Sequence, residues 1–234
     1  MFGFAGKVVM ITGAAGNLGR ATAEAFRCVG AHLALVGRNR GHLEWAWPAS
    51  EGILLLAADL TNKSEIQDTV EEAISHYERI DVLANIAGGF TMGPPIHETP
   101  VEAWDNMLDV NVRSAFLMSR AVVPYMRRQG GGKIINVAAR AALEGKANMG
   151  SYCVSKSAVI TLTETLAAEN SGYGINVNCI LPGTIDTSEN REAMPDADFS
   201  KWVPTVALAD VILFLASDAA RAIHGVALPV YGES

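Results

Sequence analysis

Val8–Gly19, VVMITGAAGNLG, is an apolar run that ends in a glycine-rich turn and leads directly into the helical pattern RATAEAFRCVG. The order is strand, turn, helix. Gly13, Gly16 and Gly19 let the backbone bend sharply and approach a ligand. The helix behind them offers unpaired N–H groups and the positive end of its dipole. A pyrophosphate suits such a turn, and a dinucleotide is its natural carrier. Glycine-rich turns also arise for close packing alone, so the meaning of this one depends on the segments that come after it in the chain.

Those segments repeat the unit. AHLALVGRNR, from Ala31, reads as a second strand ending at Gly37-Arg38. An acid there would grip an adenosine ribose 2'-hydroxyl. Gly37 instead leaves room and Arg38 supplies a planar cation suited to a 2'-phosphate, so NADP(H) is expected over NAD(H). The plainer alternative is a solvated loop cation. GILLLAADLTNKSEI is a third strand and a helix start, with Thr61 or Asn62 as N-cap. Asp59 and Leu60 then stand where an adenine would lie, Asp59 accepting from its amino group, unless Asp59 is only a turn residue. DVLANIAGGF is a fourth strand ending in Ala87-Gly88-Gly89, and GGGKIINVAA a fifth. Strands that alternate with helices and end in small-residue turns predict an α/β fold with a doubly wound parallel sheet.

Composition agrees with one such domain. The 234 residues are half apolar, with net charge −7 and no basic block, which argues against nucleic-acid or anionic-membrane partners. No apolar run reaches the roughly 20 residues of a membrane span. MFGFAGK lacks the long apolar region of a secretory signal, so a soluble, cytoplasmic protein is expected. Cys28, Cys153 and Cys179 are widely spaced and read as free thiols, and the histidines lack metal-ligand spacing, so no metal site is expected.

The proline-rich TMGPPIHETP precedes a long helical pattern from Val101 to Gln129, with a possible kink at Pro124 and a polar Asn111 that is either a satisfied core amide or a placed functional one. Later, Tyr152-Cys153-Val154-Ser155-Lys156 opens another helix. Positions i and i+4 share a helix face, so the Tyr152 phenol and Lys156 ammonium point the same way. The cation is expected to favour phenolate, lowering the Tyr152 pKa and making it a general acid toward an atom that receives hydride.

TGAAGNLG, Asp59-Leu60, NIAGG, Asn111, YCVSK, PGTIDT and LASD together make the chain resemble the short-chain dehydrogenase/reductase family over essentially its whole length. The resemblance implies a Rossmann-type single domain over residues 1–234, with a substrate loop at about 184–204. It implies Tyr152 as proton donor, Lys156 holding the nicotinamide ribose, and Asn111 anchoring a water in a proton relay. Carried over residue by residue, cofactor contacts fall on Gly13, Ala15, Asn17, Leu18, Gly19, Arg38, Asp59, Leu60, Asn85, Ala87, Gly88, Tyr152, Lys156, Pro182, Gly183 and Thr184. Substrate contacts fall on Phe90, Ala139, Phe199 and Trp202, with a small molecule as partner and a homodimer or homotetramer built on the long helices around Asn111 and Lys156.

Two departures matter. Asn17 stands where the family's middle glycine is usual, and its tolerance of left-handed backbone angles is expected to preserve the turn. The family's serine, about thirteen residues before the tyrosine, falls on Ala139. Loss of one such donor costs about 10²–10³ in rate for an ordinary ketone. The dihydropteridine reductase branch of the family shares this alanine, and both ARAALEGKANMGSYCVSK and TIDTSENREAMPDADFSKW resemble its segments. That resemblance implies reduction of an activated, conjugated substrate such as a quinonoid dihydropteridine, although that branch usually has an acid after the second strand and prefers NADH. A carbonyl reductase or alcohol dehydrogenase and a catalytically weak NADP(H) sensor are the alternatives. Phe199 and Trp202 either cover a flat substrate or pack on the core, and HGVALPVYG closes the sheet, with Tyr231 as packing.

Overall fold

The computed structural model describes residues 3–233. Met1 and Phe2, which begin the segment read as carrying no signal, and Ser234 lie outside the described residues. The main sheet is built from β1 (Val8–Thr12), β2 (His32–Gly37), β3 (Ile53–Ala57), β4 (Val82–Asn85), β5 (Gly132–Val137), β6 (Ile175–Pro182) and β9 (Ala227–Val230). Its order is β3-β2-β1-β4-β5-β6-β9, with every neighbouring pair parallel. The strand order reverses between β1 and β4, which opens a crevice beyond their carboxyl ends. This is the single-domain, doubly wound α/β architecture that the repeated strand-turn-helix pattern predicts.

A two-sided sheet explains the unbroken apolar runs. Val9 and Ile11 of β1, with Leu33 and Leu35 of β2, bury into one core, whereas Met10, Ala34 and Val36 bury into another. The first core is covered by α1 (Asn17–Cys28) and α8 (Thr205–Ala216), which supply Phe26, Leu208 and Ile212. The second lies under α3 (Lys63–Tyr77) and α5 (Ser114–Arg128), through Val70, Met118 and Met126. The short α2 (Arg40–Ala46) comes after β2 and is capped by Asn39. Asn62, rather than Thr61, caps α3, accepting from the Ser64 N–H at 3.0 Å; Thr61 bonds Asp59 instead.

The long pattern from Val101 is not one regular helix. It comprises α4 (Val101–Leu108), a wide π-type turn over Asp109–Arg113, and α5. The interruption falls at Asn111, while α5 continues through Pro124. Helix α6 (Gly150–Asn170) carries Tyr152 and Lys156, and the segment after β6 folds as β7 (Ile185–Asp186), α7 (Ser188–Ala193) and β8 (Val203–Pro204). No helix among the described residues is long and apolar enough to cross a membrane, and no three His, Cys, Asp or Glu side chains among them are grouped as metal ligands.

Candidate active site

The site lies at the carboxyl ends of the strands and is built from three turns. In the first, Gly13 takes φ of +67°, and a Cβ there would come within 3.0 Å of the Ala87 backbone. A Cβ on Gly19 would strike the Gly13 carbonyl, so α1 can pack on the turn only through glycine. The first intrahelical bond is Arg20 N–H to Gly16 O at 2.8 Å, and no side chain caps Gly16. The N–H groups of the first turn are therefore presented outward. Asn17 does not use its tolerance of positive φ. It is helical, the left-handed angle is taken by Gly13, and the Asn17 side chain donates to Glu189 at 2.8 Å.

Thr12 joins the first turn to the second. Its Oγ1 accepts from Ile86 N–H at 3.0 Å and Ala87 N–H at 3.1 Å, pinning the end of β4 beside that of β1. The crevice so formed has a volume of about 420 Å³ and is lined by Gly13, Ala15, Asn17, Leu18, Gly19, Arg38, Ala87 and Gly88 among the expected cofactor residues. Asn39 and His42 join Arg38 at one end. A larger hollow of about 470 Å³ lies near Lys7, Asp81 and Lys133, at the amino ends of the strands and remote from Tyr152. Its charges are already engaged, Asp81 with Lys7 and Arg79, and Lys133 with Asn176.

Not every expected contact faces the crevice. Asn85 is 4% exposed and donates to Asn136 Oδ1 at 2.8 Å and Ser119 at 3.3 Å, so its amide braces the sheet interior instead of reaching a ligand. Asp59 accepts the N–H and hydroxyl of Thr61 at 2.9 and 2.8 Å. The Thr61 backbone bond is the main reason its carboxyl titrates below the usual range, with Arg38 adding to the effect. Leu60 packs against the second core. Pro182 ends β6, the Gly183 N–H donates to Val230 O at 3.0 Å, and Thr184 O accepts from Val203 N–H at 2.8 Å.

The third turn brings in the chemistry. The Asn111 side chain clasps the Gly89 peptide, accepting its N–H at 2.9 Å and donating to its O at 3.0 Å, and it also donates to Ser155 Oγ at 3.0 Å. Both amide hydrogens are thus engaged within the protein. The π-type turn allows this reach, consistent with the frequent placement of such turns at functional sites. Ser155 in turn donates to Tyr152 O at 2.9 Å. A Cβ on Gly88 would lie 2.7 Å from Asn111 Oδ1 and 3.2 Å from Lys156 Nζ, so a side chain there would have to displace them.

Lys156 is buried, and its Nζ donates to Val137 O at 2.9 Å. Burial brings its pKa down to about 8. Tyr152 departs from the sequence expectation: burial pushes its phenol up to about 12, because i,i+4 spacing sets direction whereas desolvation sets acidity. Phe90 meets Tyr152 edge-on, with ring centroids 4.9 Å apart. Ala139 sits with Ala141, Cys153, Met149 and Tyr152 in one apolar cluster, so the position of the absent hydroxyl does belong to the Tyr152 surroundings. Phe199 and Trp202 pack on each other at 4.8 Å, with Arg191 over Phe199; Trp202 is only 7% exposed, and this pairing leaves little of it to cover a substrate. Thr12 stands beside the glycine turn and Ser155 between Tyr152 and Lys156, whereas nothing local in the sequence marks His42 or Glu189.

A profile of the short chain dehydrogenase family matches residues 7–198. The chain is 34% identical to the NAD-dependent glycerol dehydrogenase of Listeria innocua, over 99% of this chain and 94% of that protein. It is 33% identical to a 3-oxoacyl-acyl-carrier-protein reductase of Thermotoga maritima, over 97% of each. Among solved structures, an NAD+-bound xylitol dehydrogenase superposes with a TM-score of 0.90 at 30% identity, covering 98% of this chain and 99% of that one. With the glycine turn, the crevice and the Tyr152–Lys156 helix already in place, these likenesses lead to one conclusion: the chain belongs to the short-chain dehydrogenase family of oxidoreductases.

Proposed function

We propose that the protein is an NAD(P)(H)-dependent reductase acting on an activated, conjugated small molecule such as a quinonoid dihydropteridine, with Tyr152 as proton donor. The observation that carries this reading is the Ala139 cluster: beside Tyr152, where a hydroxyl would polarise an ordinary carbonyl, the wall is apolar. An electron-poor conjugated acceptor regains stability on reduction and depends less on that donor. The glycine cradle fits a dinucleotide, whose nicotinamide supplies the hydride when bound. In this reading Lys156, beside Gly88, holds the adjoining ribose. Tyr152, kept protonated by burial, gives its proton to the reduced substrate. Phe90 is the exposed aromatic against which a flat substrate can rest.

Arg38, Asn39 and His42 at the far end of the crevice favour a 2'-phosphate and hence NADP(H). A homodimer or homotetramer is the assembly we propose, formed on the outer faces of α5 and α6. A second reading is ordinary carbonyl or alcohol chemistry, favoured by the names of the relatives, with a water or another hydroxyl replacing the serine. The test is oxidation of NADPH and NADH with freshly generated quinonoid dihydropterin and with simple ketones. Dihydropterin turnover at least about 10²-fold faster than ketone turnover, and abolished in Tyr152→Phe, is the expected result. Rapid ketone turnover alone moves the assignment to the second reading.

A further inference from the structure

The turn at the head of α1 carries a side chain where glycine would carry none. Asn17 Nδ2 donates to Glu189 Oε2 at 2.8 Å, a bond between residues 172 positions apart. It joins the dinucleotide cradle to the segment between β6 and β8. Glu189 is well placed: Ser188 Oγ donates to the same carboxylate oxygen at 3.2 Å. Thr187 caps α7 by accepting the Asn190 N–H at 3.2 Å, and Asn190 Nδ2 donates to Ile185 O at 2.8 Å. Arg191 grips Asp186 with two bonds of 2.6 and 2.7 Å and rests over Phe199. The strand-helix piece is therefore tied together internally, with its carboxylate on the turn.

That carboxylate is an anion held at the amino end of α1, where the first-turn N–H groups and the helix dipole would receive a pyrophosphate. Two anions cannot share this end without repulsion. We propose that Glu189 tunes dinucleotide affinity, its carboxylate on Asn17 repelling the pyrophosphate at the head of α1. This rests on the dinucleotide reading of the glycine cradle. It also gives Asn17 a use that glycine could not serve.

The test measures dissociation constants for NADPH and NADH by calorimetry on the full chain, for wild type, Glu189→Gln, Asn17→Ala and the double variant. Glu189→Gln removes the charge while keeping the shape. It is expected to tighten binding by about threefold or more, with the gain shrinking at about 0.5 M salt because exposed charges are screened. Asn17→Ala frees the carboxylate from the turn and is expected to tighten binding too, and the double variant to gain no more than Glu189→Gln alone. Unchanged or weaker binding in Glu189→Gln, a gain insensitive to salt, or full additivity overturns the proposal while leaving the dinucleotide reading intact. No binding of either dinucleotide by any of the four proteins overturns both.

Discussion

Tyr152 and Lys156 stand one helical turn apart, yet burial moves them in opposite directions in acidity, the phenol up to about 12 and the ammonium down to about 8. Across neutral pH Tyr152 holds its proton, which suits donation. Reduction is therefore expected to be flat below about pH 8 and to fall above it as Lys156 loses its charge, whereas oxidation of the product, which needs phenolate, is expected to rise into the alkaline range. Steady-state pH profiles in both directions check this, and a reduction rate that rises above about pH 8 contradicts it. Ala139 offers a second test at the same scale. In an apolar cluster with Cys153 and Tyr152, Ala139→Ser places a donor beside the phenol and is expected to raise ketone turnover by about 10²-fold while changing dihydropterin turnover little. Equal gains with both acceptors would mean that the alanine does not select the substrate.

At the level of elements, Asp81 shows how strand ends are fixed away from the chemistry. It precedes β4, accepts the Val8 N–H at 2.9 Å at the start of β1, and pairs with Lys7 and Arg79. Burial alone would raise its pKa, but Arg79, the Val8 N–H and Lys7 outweigh it, so the folded value lies below the ordinary one. A depressed carboxylate contributes stability above its unfolded pKa of about 3.9 and loses it as pH falls through the folded value. Asp81→Asn is expected to cost about 2 kcal/mol at pH 7, with the gap to wild type closing below about pH 4 in urea denaturation. A gap that persists in acid would mean packing, not charge, is responsible. Elements were the legible part of this molecule. VVMIT and LALVG announce buried parallel strands because each alternate residue feeds a different core. The π-type turn at Asn111 was not legible, because it answers to the peptide of Gly89, twenty-two positions away. Likewise the Asn17–Glu189 bond and the raised Tyr152 pKa arise only once distant segments have met, and no local spacing encodes them.

For the whole molecule, the helix that carries Tyr152 and Lys156 and its neighbour α5 each leave an apolar side chain exposed. α5 and α6 run side by side in the same direction, joined near their starts by the Asn111–Ser155 bond and near their ends by Arg127 to Asn170 at 2.8 Å. Phe116 on α5 and Val154 on α6 are each 45% exposed. Val154 lies between Tyr152 and Lys156 on α6, so a second copy seated on this face would also stiffen the turn that orients both. The double variant Phe116→Arg/Val154→Arg sets like charges against each other across such a two-fold contact. Light scattering is expected to give a dimer or tetramer for wild type and a smaller species for the variant. The variant's melting temperature should also lose the protein-concentration dependence expected of the assembled form. Because neither side chain lines the crevice formed by Gly13, Ala87 and Gly88, dinucleotide affinity should change less than turnover. A variant of unchanged mass would place the assembly face elsewhere, and a wild-type monomer would mean that no such assembly forms; either way Tyr152 and Lys156 are held by their own chain alone.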